Sequence, residues 1–196
     1  MTKTATQEAP GSGPDSTATA RLTGLFIERY RELIEGLPDD EPTWVTTGGR
    51  EGGLLGSVRG LSAEQASHDF AGTSIASHVE HVRWAIELAN GFFRGDNARP
   101  SWSESWSVKK VDKAAWERLM AGLQSAAGEL LGHLDDQQRW DEALSVTGAL
   151  SSYGHTAYHL GAIRQLRKLV LDRSEADKKS GGTAGGIGVV HARVQY

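Results

Sequence analysis

The chain has 196 residues, of which 38% are hydrophobic and 23% charged, with a formal net charge of -4; this is the composition of a single globular domain with short tails. It contains no cysteine, which excludes disulfides, thiolate ligands and a thiol nucleophile of its own, so a metal would have to be held by nitrogen and oxygen. Mild acidity without a long basic run argues against a nucleic-acid surface, and no run of about 18 apolar residues exists to span a membrane.

Residues 1–15, rich in Thr, Ala, Gly and Pro, read as a disordered arm, and no apolar signal-peptide core precedes the first helix. A cytoplasmic protein is therefore expected. Asp15 or Ser16 can cap a first helix over 16–37, whose stripe is Leu22, Leu25, Phe26, Tyr30, Leu33, Ile34 and Leu37, with Pro38 as its stop. From Pro38 to Gly72 the glycines at 48, 49, 52, 53, 56 and 60 predict an irregular connection, of a length that is often functional or partly mobile. Leu54, Leu55 and Val58 suggest a short helical turn within it, and Ser62-Ala63-Glu64-Gln65 the start of another.

Thr73 or Ser74 caps a second helix that runs to Phe93 and buries Ile75, Val79, Val82, Ile86, Ala89 and Phe93; Gly95 stops it. Arg94 to Val111 is a polar loop with Trp102 and Trp106. Fully extended, it is long enough to recross the molecule and start the third helix parallel to the second. Asp112 caps that third helix, with Trp116, Leu119, Met120, Leu123, Ala127, Leu130, Leu131 and Leu134 on its buried side. Asp135-Asp136 begin a turn, and Trp140 is expected against a bundle end. A fourth helix covers 144–171, with Arg164, Arg167 and Lys168 near its negative end. The charged, then Gly-rich stretch 173–196 reads as a flexible tail, with some alternation over 189–196. Four long amphipathic helices make an all-α four-helix bundle over residues 16–172, with one long crossover connection.

The chemistry concentrates in two places. His155 and His159 lie four residues apart, one helical turn, on the stripe Ser152, His155, His159, Ile163, Leu166 and Val170. Two imidazoles in this relation can hold one metal ion, or each can be satisfied by a hydrogen bond, for which Tyr153 and Tyr158 are candidates. Thr156 stands where a zinc protease carries its Glu, which argues against a peptidase. A third ligand must come from elsewhere, and His78 and His81, three apart on one face of the second helix, offer it. His68, His133 and His191 read as surface or loop residues. Glu80 beside the histidines and Arg164 further along are weaker candidates, for a base and for an anion contact; each more simply faces solvent.

Thr73-Ser74-Ile75-Ala76-Ser77-His78-Val79-Glu80-His81-Val82, followed by Gly154-His155-Thr156-Ala157-Tyr158-His159-Leu160-Gly161-Ala162-Ile163, resembles the DinB/YfiT-like superfamily of metal-dependent enzymes. The Trp102…Trp106 loop resembles a subset of it. The resemblance implies a crossover four-helix bundle with disordered tails, a divalent metal, Zn or Ni, on His155, His159 and His81, and His78 as the alternate first ligand or a neighbour of the metal. Ala162 departs from the Gln common in the family, a change that bears on what surrounds the ligands. The resemblance further implies an open metal position and a small-molecule substrate. For some relatives the reaction is transfer of a low-molecular-weight cellular thiol to an electrophile, for others hydrolysis or isomerisation; a metal-binding stress protein without turnover is the reading from another class. A homodimer packed through bundle helices is also implied.

Overall fold

A computed structural model of the chain describes residues 16–97, 101–137 and 139–181. Six α-helices form among them: α1 (Ser16–Glu35), α2 (Leu54–Val58), α3 (Ala63–Ala66), α4 (Ile75–Arg94), α5 (Lys113–Asp136) and α6 (Ala143–Gly181). Two 3-10 turns, Gly49–Gly52 and Glu104–Trp106, and one isolated bridge between Phe70 and Thr73 complete the regular structure of the described residues. The four long helices are those the periodicity called for.

α4 is the central helix. Its Asn90 donates to the Ala126 carbonyl of α5 at 3.0 Å, and Phe93 stacks on His133 at 5.2 Å. Residue numbers rise together along this contact, since a Cβ at Gly122 would meet the side chain of Arg83 one end earlier. The two helices therefore run parallel, and the connection between them recrosses the bundle. Against α6 the order reverses, with His78 beside His159 and Phe92 beside Ser145, so α4 and α6 are antiparallel. No helix among the described residues is long and apolar enough to cross a membrane.

The caps follow the local chemistry. Ser74 Oγ accepts from Ser77 N at 3.1 Å, Asp112 Oδ1 from Ala115 N at 2.7 Å, and Gly95 closes α4 at a φ of 94°. On α5 the expected apolar residues are buried, Met120 only in part. Trp140 packs edge-on against Phe26 at 5.9 Å, at a bundle end as expected.

Three sequence expectations need correction. α1 ends at Glu35 because Gly36 takes a left-handed φ of 69°, two residues before Pro38 can act. Its buried side is Ile27, Tyr30, Leu33 and Ile34, whereas Leu22 and Leu25 are exposed. The 38–72 connection is irregular as expected, with α2 and α3 where helical turns were expected, and it is packed. Leu54, Val58 and Leu61 are in the core, and glycines allow the close approach: a Cβ on Gly53 would lie 2.2 Å from the Gly36 amide nitrogen. Glu32, fully buried, fastens the start of this segment by accepting at one oxygen from the amides of Trp44, Val45 and Thr46 at 2.7–2.9 Å. Last, α6 continues to Gly181, past the end expected at Leu171. No Gly or Pro interrupts residues 162–180, and the Ala, Glu, Lys and Arg there are good helix formers. Asp15, the 1–15 arm and residues 182–196 lie outside the described residues, as does His191.

Candidate metal centre

Ser74 sets the first half of the site. Besides capping α4, its hydroxyl donates to the Lys109 carbonyl at 2.9 Å, and Ser67 brackets Val111 through bonds of 2.8 and 3.2 Å. The crossover loop is thereby tied to the start of α4, and Trp106 of its 3-10 turn packs on His78 and His81 of that helix. His78 and His81 point from α4 toward α6, where His155 and His159 face them.

His81, His155 and His159 come together. One ring nitrogen from each lies within 4.8 Å of the others, a grouping that could hold a metal ion. Ring centroids are 4.5 Å apart for His155–His159, 4.7 Å for His81–His159 and 4.8 Å for His81–His155. His78 stands outside this triad, its Nδ1 2.9 Å from Nδ1 of His159.

The hydrogen bonds around the triad decide which nitrogens are available. Ser105 gives its hydroxyl proton to the Trp102 carbonyl at 2.7 Å, so the same oxygen accepts from Nδ1 of His81 at 2.6 Å. That leaves the Nε2 lone pair of His81 free. At His159 the Nδ1 is likewise engaged, by His78, and Nε2 remains. Nε2 of His155 is buried with no hydrogen-bond partner. A buried ring nitrogen without a partner is costly unless something fills its lone-pair direction.

Burial lowers the pKa of all four histidines. For His159 burial, followed by repulsion from His155, His81 and His78, brings it down to about 3; for His81 burial, then His155 and His78, gives about 4. The rings are therefore neutral at physiological pH, the state in which imidazole ligates. Trp106 stacks on His81 at 4.0 Å and meets His159 edge-on at 5.7 Å, while Trp102 lies 5.5 Å from His155. These indoles cover the histidines and keep the local dielectric low.

Three neutral nitrogen donors with a shielded, partly aromatic surround fit a borderline divalent ion such as Zn(II) or Ni(II). Among the described residues no carboxylate joins the triad. Glu80 instead grips Arg83 through two bonds of 2.7 and 2.8 Å, and Arg164 donates to both the carbonyl and the hydroxyl of Thr47 at 3.0 Å, so each is engaged with a group outside the triad. Tyr153 packs on Phe26 and Tyr30, and Tyr158 touches His159 only edge-on, so neither tyrosine supplies a hydrogen bond to the pair. Sequence reasoning missed Ser105. A serine in an aperiodic loop carries no signal until tertiary structure brings it to His81.

No curated protein and no solved structure matches the chain. The family model described as the DinB superfamily matches residues 25–166. That span covers well over half of the chain and holds both histidine pairs, the parallel α4–α5 crossover and the loop that covers the triad; the chain belongs to the DinB superfamily.

Proposed function

We propose that this chain is a metal-dependent enzyme whose ion is held by His81, His155 and His159, and that it transfers a small cellular thiol to an electrophilic substrate. The observation that carries the reading is the buried, unpartnered Nε2 of His155, set beside two histidines whose Nδ1 atoms are already engaged. A divalent ion held there, Zn(II) or Ni(II), supplies Lewis acidity and lowers the pKa of a water or thiol bound to it. The protein's part is to keep three rings neutral and aimed, to shield them with Trp102 and Trp106, and to leave a position open. Turnover is favoured over a purely structural metal because no fourth His, Cys, Asp or Glu closes the group among the described residues. With no cysteine in the chain, a sulfur nucleophile has to come from a separate thiol.

The test is metal content of protein purified without exposure to nickel resin, read by plasma mass spectrometry. About one zinc or nickel per chain is expected, as a three-histidine site requires. His159→Ala should lose that metal while keeping its helix content. Metal retained in full by the variant, or a wild-type protein that takes up none on titration, would refute the assignment. S-conjugate formation from a panel of low-molecular-weight thiols and electrophiles then tests the reaction class.

A further inference from the structure

Next to the triad, along the groove between α4 and α6, lies a cavity of about 320 Å³. His155 is the member of the triad that lines it. Leu88 and Phe92 of α4 and the indole of Trp102 give it apolar walls, and Gly148 and Ser152 of α6 form the opposite side. Glycine at 148 is required by the packing, since a Cβ there would come within 2.7 Å of Phe92 Cδ2. Ser152 is held from behind, its hydroxyl 2.7 Å from the buried phenol of Tyr30.

Among the described residues no Asp, Glu, Lys or Arg lines this cavity. A carboxylate or phosphate entering it would lose its water and find no counter-charge, at a cost that excludes tight binding. A flat uncharged ring, by contrast, exchanges water for contact with the faces and edges of Trp102 and Phe92. The volume is at the small end of ligand sites, room for a substituted aromatic ring and not for a large conjugate.

We infer that this cavity is the binding site for the electrophilic substrate, and that it selects a small, uncharged, largely aromatic molecule whose reactive end lies toward His155. The inference rests on the metal-enzyme reading for the role of the bound molecule. The selectivity itself comes from the cavity's own lining.

The test is a ligand-observed NMR titration of the full-length protein as purified, with its metal content recorded, using nitrobenzene and 4-nitrobenzoate as probes of similar shape and different charge. Nitrobenzene should bind at least tenfold more tightly than 4-nitrobenzoate. Ser151 is an exposed residue on the cavity rim, and Ser151→Trp should weaken nitrobenzene at least tenfold with metal content and helix content unchanged. Leu88→Lys, which adds a cation to the wall, should narrow or reverse the preference. Equal binding of the two probes, absence of nitrobenzene binding, or indifference to both substitutions would overturn the inference. Nitrobenzene binding in protein that takes up no metal would uphold the cavity and sink the enzyme reading; normal metal content without probe binding would do the opposite.

Discussion

Nδ1 of His78 lies 2.9 Å from Nδ1 of His159, a hydrogen bond between two buried imidazoles on facing helices. Only one of the two nitrogens can carry the proton. If Nε2 of His159 faces a metal, its Nδ1 is the donor and His78 the acceptor, so the bond fixes both the tautomer and the orientation of the proposed ligand.

Such outer partners tune affinity rather than create it. His78→Ala should weaken metal binding about 10- to 100-fold, against complete loss in His159→Ala, and His78→Gln, which keeps an acceptor, should recover part of it. Competition with a chelating dye measures this, with circular dichroism as the check that helix content holds. Unchanged affinity in His78→Ala would show that His159 is positioned by packing alone.

The lowered pKa values give the metal-free protein a definite pH dependence. In the unfolded chain a histidine takes up its proton near 6.5, whereas His81 and His159 in the fold resist protonation down to about 4 and about 3. Between these limits the unfolded state binds more protons, so stability falls as pH drops below 6.5. Thermal unfolding of the metal-free protein at pH 7.5, 6 and 5 should show a declining Tm, and the decline should be shallower in His159→Leu. A Tm flat over this range would contradict the burial of these rings.

Glu32 acts in a different window. Burial by itself would raise its pKa, but the amides of Thr46, Val45 and Trp44, with Arg29 at 3.0 Å, outweigh burial and lower it below 4.5. A carboxyl depressed in the fold stabilises above its unfolded pKa and loses that contribution as pH falls through the folded value. Acid unfolding below pH 4.5 should therefore be less steep in Glu32→Gln. Glu32→Ala, which strands three amides and a half-buried guanidinium, should cost about 3–5 kcal/mol at neutral pH by urea unfolding.

Gly53 offers a test of packing without conformational strain. Its φ of -72° suits any residue, yet a Cβ would meet backbone atoms of Gly36 and Glu35 at 2.2 and 2.7 Å. Gly53→Ala should destabilise by about 1–3 kcal/mol or more, since backbone cannot swing aside as a side chain can. Gly60→Ala, with open space but a φ of 75°, should cost about 1–2 kcal/mol for the left-handed backbone alone. A smaller loss at Gly53 than at Gly60 would mean that the 49–56 segment can lift off α1.

The sequence by itself determined the elements. Apolar spacing marked four helices, Ser74, Asp112 and Gly95 marked their ends, and two histidine pairs were placed on buried helix faces, because each of these signals is written within a turn or two of chain. It also gave the parallel sense of α4 and α5, through a loop long enough to recross the bundle. Tertiary structure alone decided what meets across the elements. His78 and His81 share a face and satisfy the same periodic rule; the family resemblance singled out His81, and the approach of α6 sets it beside His155 and His159 with His78 behind His159. Ser105 and Trp106 reach the site because Ser74 and Ser67 tie down an aperiodic loop. Gly52, Gly53 and Gly56, chain breakers in isolation, permit backbone to pack on backbone, since what replaces a missing side chain comes from a part of the chain that local sequence does not name.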